Sequence, residues 1–274
     1  MSPAMRRAAA AVGVVLLGGV LSGQLGGQFP RGFPGYQREP TLSNPRYDGR
    51  FTFARLKYVS GPGGYYYCGL PAWAHGYASC RGGARAEESL MKIMTEISYL
   101  NPRIEEGGVY GLDDPELFKH PVAYMTEPGF WTLNDKEAVS LRDYLLKGGF
   151  VIFDDFRADG QGNSGGGWAN FEANMRRVLP ELRPVEVDPT YPIFHSFFEI
   201  DSFDIIPQSY DRGRPRFFAV FEENDPKKRM LAVVNYSTDV ADFWEFSATG
   251  FRPIEESNEA YKIGVNYIMY GMTH

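Results

Sequence analysis

Two adjacent carboxylates, Asp154 and Asp155, are the residues of this chain best placed to do chemistry. They close the run Leu141-Arg142-Asp143-Tyr144-Leu145-Leu146-Lys147-Gly148-Gly149-Phe150-Val151-Ile152-Phe153-Asp154-Asp155-Phe156. Paired acids in a cleft can hold a metal, orient a sugar hydroxyl, or divide into acid and base. The plainer alternative has one acid capping the next turn and the other in solvent. His195, in Pro192-Ile193-Phe194-His195-Ser196, is a candidate base that could approach the pair; the alternative is a packed or hydrogen-bonded loop histidine. Arg157 and Arg55 are the basic companions: Arg157 follows the pair directly, and Arg55 on an early strand either neutralises an acid at the crevice or is an exposed strand residue.

Other chemistries find less support. Gly160-Gln161-Gly162-Asn163-Ser164-Gly165 matches G-x-G-x-x-G, but dinucleotide binding needs those glycines at the strand end itself, and several residues separate them from Phe153. No G-x-x-x-x-G-K-[ST] loop is present, so no cofactor is expected. Cys68 and Cys80 are the two cysteines; in an oxidising compartment they can close a short loop, and otherwise they are two free thiols in an insertion. Zinc held by Cys68, His75 and Cys80 would lack a fourth ligand, and no metal site is expected. Tyr65, Tyr66, Tyr67, Trp73, Tyr77, Phe130 and Trp131 lie in loops, where they either stack on sugars or fold back over a sheet.

The elements that must position these residues follow from periodicity. Phe51–Tyr58 alternates as a first strand, and Glu87–Tyr99 carries Leu90, Ile93, Met94 and Ile97 at helical spacing. Asp113–Leu117 opens a short helical turn, and Pro121–Thr126 reads as a strand. Thr132–Lys147 is the clearest helix, with Asn134 and Glu137 at capping-box spacing and Gly148 at its end. The four apolar residues Phe150–Phe153 predict a strand buried on both faces, as in parallel sheets covered by helices. Such sheets bind ligands outside the carboxyl ends of their strands, where the acid pair sits. A helix over 168–179, a short extended piece at Pro184–Val187, weak alternation over His195–Ile206, strands at Arg216–Glu222 and Met230–Tyr236, and a helix at Asn258–Tyr270 complete the pattern. Strands alternating with helices predict a three-layer α/β/α sandwich with a mostly parallel sheet.

Bulk properties bound the rest. At 43% hydrophobic and 23% charged the chain is ordinary for a globular protein, and 15% aromatic residues supply bulk for a sizeable core. The net charge of -6, without a polybasic stripe, excludes nucleic acid as an expected partner. Met5-Arg6-Arg7 followed by roughly 15 mostly apolar residues from Ala8 to Ser22 reads as an export signal or, uncleaved, as an anchor. The expected organisation is a signal or anchor over 1–23, a Gly/Pro-rich linker over 24–49, and one α/β domain over 50–274. The domain then lies outside the cytoplasm, periplasmic or secreted, touching membrane only through the N-terminal segment.

Phe53-Ala54-Arg55-Leu56-Lys57-Tyr58, Pro121-Val122-Ala123-Tyr124, Leu141-Arg142-Asp143-Tyr144-Leu145, Gly148-Gly149-Phe150 with Asp154-Asp155, and Asn266–Tyr270 together resemble the bacterial domain-of-unknown-function family 4159. The resemblance implies a class I glutamine amidotransferase-like, flavodoxin-like fold and a bacterial envelope setting, but no activity. In the family a histidine often precedes the proline of the His-Pro-hydrophobic segment; Tyr191 precedes Pro192 here. No cysteine occupies a nucleophile turn, so amidotransfer is not expected. The leading expectation is a non-catalytic domain binding a small molecule, glycan or envelope protein through Asp154, Asp155, Arg157 and Arg55. The alternative is a hydrolase of envelope carbohydrate or amide bonds using Asp154 or Asp155 with His195.

Overall fold

The structure, a computed structural model, describes residues 40, 42, 44–65, 68–77, 86–104, 107–156, 167–204 and 214–274. The chain divides into two compact units, Met1–Pro30 and Arg31–His274; the first, with the expected signal, lies outside the described residues. So do Arg157, Cys80, Tyr66, Tyr67 and the glycine-rich loop Gly160–Gly165. Among the described residues no helix is long and apolar enough to cross a membrane.

In chain order the elements are β1 (Ala54–Lys57), β2 (Val59–Ser60), α1 (Ala86–Ile97), β3 (Gly108–Gly111), β4 (Val122–Thr126), β5 (Trp131–Thr132), α2 (Asp135–Leu146), β6 (Phe150–Phe156), α3 (Gly167–Val178), β7 (Val185–Val187), β8 (Arg216–Phe221), β9 (Met230–Tyr236), α4 (Val240–Glu245) and α5 (Ile254–Thr273). Seven strands form one mixed sheet in the order β3-β1-β4-β6-β9-β8-β7, while β2 and β5 pair separately. The β3-β1, β1-β4, β4-β6 and β6-β9 pairs are parallel, and β8 runs antiparallel to both neighbours. The acid-bearing strand is therefore central, and all seven of its residues are buried.

Two hydrophobic clusters cover the sheet. One joins Val151 and Phe153 of β6 to Leu141 and Leu145 of α2 and to Phe171 and Met175 of α3. The other joins Phe150 and Ile152 to Leu90 and Met94 of α1, Phe243 and Trp244 of α4, and Ile263 and Tyr267 of α5. Alternate residues of one strand thus feed opposite layers, which is why β6 reads as an unbroken apolar run. The chain leaves β1 through α1 toward β3, but leaves neighbouring β4 through α2 toward β6. Such a reversal of direction, here between β1 and β4, is where open α/β sheets place their ligand crevices.

The expected capping box closes α2: Asn134 accepts from the Glu137 amide at 3.0 Å, and Glu137 accepts from the Asn134 amide at 2.7 Å. Gly148, at φ 115°, supplies the left-handed turn into β6. The weak alternation over His195–Ile206 does not yield a strand among the described residues. Pro192 instead starts a 3₁₀ turn over Pro192–His195. Part of the expected linker packs on the domain: Asn44 bonds both the amide and the carbonyl of Val109 on the edge strand β3.

Candidate functional site

A break in β6 decides where the two acids go. Regular alternation would send Phe156 to the face opposite Phe153, yet both lie in the same hydrophobic cluster. The pairing with β9 shifts register between Phe153 and Phe156, and Asp155 adopts a left-handed φ of 61°. This bulge inserts one residue, resets the side-chain parity and re-aims the residue within it. Aspartate tolerates the left-handed region better than most residues.

Asp154 turns inward and is fully buried. Its Oδ1 accepts from Asn235 Nδ2 at 2.9 Å and the Val240 amide at 3.2 Å; its Oδ2 accepts from the Tyr124 hydroxyl at 2.9 Å and the Ala241 amide at 3.0 Å. Tyr267 donates to Asn235 Oδ1 at 2.8 Å and fixes that amide's orientation. Burial pushes the Asp154 carboxyl up to about 6 against the pull of Asn235, with repulsion from Asp155 adding to the rise. Four donors surround it, two of them the leading amides of α4, so Asp154 anchors that helix rather than facing a ligand.

Asp155 meets His75. The imidazole Nδ1 lies 2.8 Å from Asp155 Oδ2 and 3.4 Å from Glu127 Oε1. Burial works against charge on His75, but the bonds to Asp155 and Glu127 prevail and lift its pKa well above the usual imidazole range. Asp239, which follows β9, caps α4 by accepting from the Asp242 amide at 3.0 Å. Burial first, then repulsion from Asp155 and Asp242, raises its pKa well above the ordinary carboxylate value. His75, Asp155 and Asp239 converge, with one ligating atom from each lying within 4.8 Å of the others; His75, Asp242 and Glu245 form a second such group. Asp242 is paired with Arg252. The hydroxyl of Tyr58, just past β1, donates to the carbonyls of Thr126 and Glu127 at 2.9 and 2.8 Å and pins the segment that carries Glu127.

Arg55 is neither exposed nor beside the acid pair's oxygens. It is buried, bonds Glu87 of α1 at 2.5 Å, and donates from Nη1 to the carbonyls of Trp73 and His75 at 3.0 and 2.6 Å. It neutralises Glu87 and fixes the backbone that delivers His75. Its remaining Nη2 is buried without a hydrogen-bond partner among the described residues. Gly76, at φ 71°, turns the chain here: a Cβ on it would lie 3.5 Å from Glu245 Oε2 and 3.7 Å from Arg55 Nη2.

His195 stands elsewhere. Its Nδ1 bonds Glu199 at 2.5 Å and its Nε2 bonds the Pro189 carbonyl at 2.6 Å, so both ring nitrogens are committed locally. It does not serve the acid pair. Of the loop aromatics, Trp73, Tyr77 and Trp131 are buried and fold back over the sheet. Among the described residues no cysteine is free, and His75 meets carboxylates rather than the zinc set weighed above.

Sequence reasoning missed Glu127, Asp239 and Asn235 as site residues and weighed His75 only beside the cysteines. A signal existed for Asp239, which stands three residues before Asp242 and directly before Val240-Ala241, as a capping residue should. No local signal marked His75, whose place depends on an arginine 20 residues away.

A family model described as a domain of unknown function (DUF4159) matches residues 53–272. No curated protein matches the chain.

Proposed function

The chain belongs to the DUF4159 family, a domain of unknown function, and from that premise we propose that it is an exported, non-catalytic binding domain whose ligand docks at the carboxyl edge of the sheet. One observation carries this reading. His75 on the loop after β2, Glu127 just past β4, Asp155 near the end of β6 and Asp239 beyond β9 come together, although they are far apart in sequence. Three of the four are carboxylates, so the fitting ligand is cationic or rich in hydrogen-bond donors, such as an amino sugar or a polyamine. The mostly parallel sheet with helices on both faces supports a class I glutamine amidotransferase-like scaffold, here without that chemistry's cysteine. Export rests on the basic start and apolar run of the N-terminus.

The test is thermal denaturation of the full chain against a panel of amino sugars, neutral hexoses and polyamines. At least one donor-rich member raises the midpoint of the parent by several degrees, and Asp155→Asn abolishes the rise. A flat response across the panel, or an equal shift in the variant, rejects the site.

A hydrolase reading also has a specific observation behind it, the His75–Asp155 contact, and it moves the helper role from His195 to His75. An imidazole hydrogen-bonded to a buried carboxylate suits a general acid or base. Turnover of aryl glycosides or muropeptides by the parent, lost in His75→Gln, would favour this reading over simple binding.

A further inference from the structure

We infer that His75, Asp155 and Asp239 form a binding site for a single first-row divalent cation of the Mn²⁺ or Zn²⁺ type. The inference rests on the carboxyl-edge reading above and names the cation that this rim takes.

The geometry is the first support. One imidazole nitrogen and two carboxylate oxygens lie mutually within 4.8 Å, and they come from three segments positioned independently. His75 is delivered by the Arg55 bonds to the Trp73 and His75 carbonyls. Asp155 is aimed by the β6 bulge. Asp239 is held by its role as cap of α4. The two carboxylates are buried while His75 is partly open to solvent, which leaves an entry side. Three protein ligands with remaining positions for water make an open site rather than a closed structural one. Mixed imidazole and carboxylate donors suit Mn²⁺, Fe²⁺ or Zn²⁺ better than Ca²⁺ or Mg²⁺, which prefer oxygen alone.

A separate observation points to a non-protein oxygen nearby. Arg55 is almost wholly buried, and its Nη2 has no acceptor among the described residues. A Cβ on Gly76, one residue beyond the imidazole, would lie 3.7 Å from that donor and 3.5 Å from Glu245 Oε2. A buried guanidinium nitrogen left without an acceptor is costly. Water brought in with a hydrated cation is an acceptor of the kind it lacks. The alternative trio of His75, Asp242 and Glu245 is less suited, because Asp242 is already tied to Arg252.

The test is equilibrium dialysis of the metal-stripped full chain against Mn²⁺ and Zn²⁺ separately, with Mg²⁺ and Ca²⁺ as comparators. The expected result is one saturable Mn²⁺ or Zn²⁺ ion per chain, at least tenfold tighter than Mg²⁺ or Ca²⁺. Asp239→Asn preserves the helix cap, and Asp155→Asn tolerates the left-handed backbone, so both variants should stay folded; each weakens the ion by tenfold or more. Oxidation of the parent by dioxygen in the presence of Fe²⁺ and ascorbate, mapped by peptide mass, needs no variant and should mark His75 ahead of His120, His195 and His274. Absence of saturable binding, affinity unchanged in both variants, or oxidation centred on another histidine overturns the inference. If ion binding fails while the amino-sugar or polyamine shift survives, the cation falls and the binding reading stands; if both fail, both fall.

Discussion

Replacing Asp154 with alanine separates the helix-anchoring acid from its neighbour. The change removes the acceptor for Asn235 Nδ2, the Tyr124 hydroxyl and the amides of Val240 and Ala241. The tyrosine hydroxyl can rotate toward another partner, whereas the Asn235 amide is fixed by Tyr267 and the two backbone amides belong to α4. Three buried donors are therefore left unsatisfied, at about 2 kcal/mol each, for a gross loss of about 6 kcal/mol. Against this stands relief of the buried charge: the rise of the carboxyl from 3.8 to about 6 corresponds to about 3 kcal/mol. The expected net destabilisation at pH 7 is about 3 kcal/mol, which lowers the melting midpoint of a domain this size by roughly 6–12 °C. Urea unfolding measures the free energy, and native-state hydrogen exchange at Val240 and Ala241 locates it. Asp155→Asn, which leaves the anchor intact, should stay within about 1 kcal/mol of the parent. The reasoning fails if the alanine variant is no less stable than Asp155→Asn, or if exchange at the start of α4 does not accelerate.

Two further outcomes follow from other buried groups. Arg55→Met strands Glu87 and two carbonyls in the interior, and should cost about 3–5 kcal/mol in urea unfolding; adding Glu87→Leu should restore much of the loss, and a double variant as unstable as the single one would refute the pairing. His120 is buried against the rings of Tyr110 and Tyr47, and burial holds its pKa below the model-peptide value of 6.5. The unfolded chain then takes up the proton first. Its contribution is complete above pH 6.5 and is lost as pH falls through the lower folded value; His120→Phe should flatten that part of the stability profile, and an unchanged slope would exclude His120 as its source.

Much of the scaffold was legible because its signals are local. The Asn134 and Glu137 box, the Gly148 stop and the apolar run of β6 lie within about two dozen residues, and together they place a carboxylate pair at the end of a central strand. The division of labour within that pair was not legible. It depends on a bulge, and the bulge depends on pairing with β9, roughly 80 residues downstream. The helix α4 has six residues, too few for a helical period to stand out. Arg55 looked like a rim cation because a lone arginine in an alternating strand gives no hint of Glu87 waiting on α1. His195 drew attention as a histidine near a proline, while its partners, Pro189 and Glu199, are local and ordinary.

The parity reset in β6 has a consequence for how such a protein can diversify. Two consecutive codons specify parts with unrelated duties: one braces the start of α4, and the next holds His75. Variation at position 155 can sample new specificities while the brace at 154 is retained, so the domain can change what it recognises without renegotiating how it folds. A one-residue deletion between Phe153 and Phe156 would forfeit that independence, forcing a single acid to choose between the two tasks.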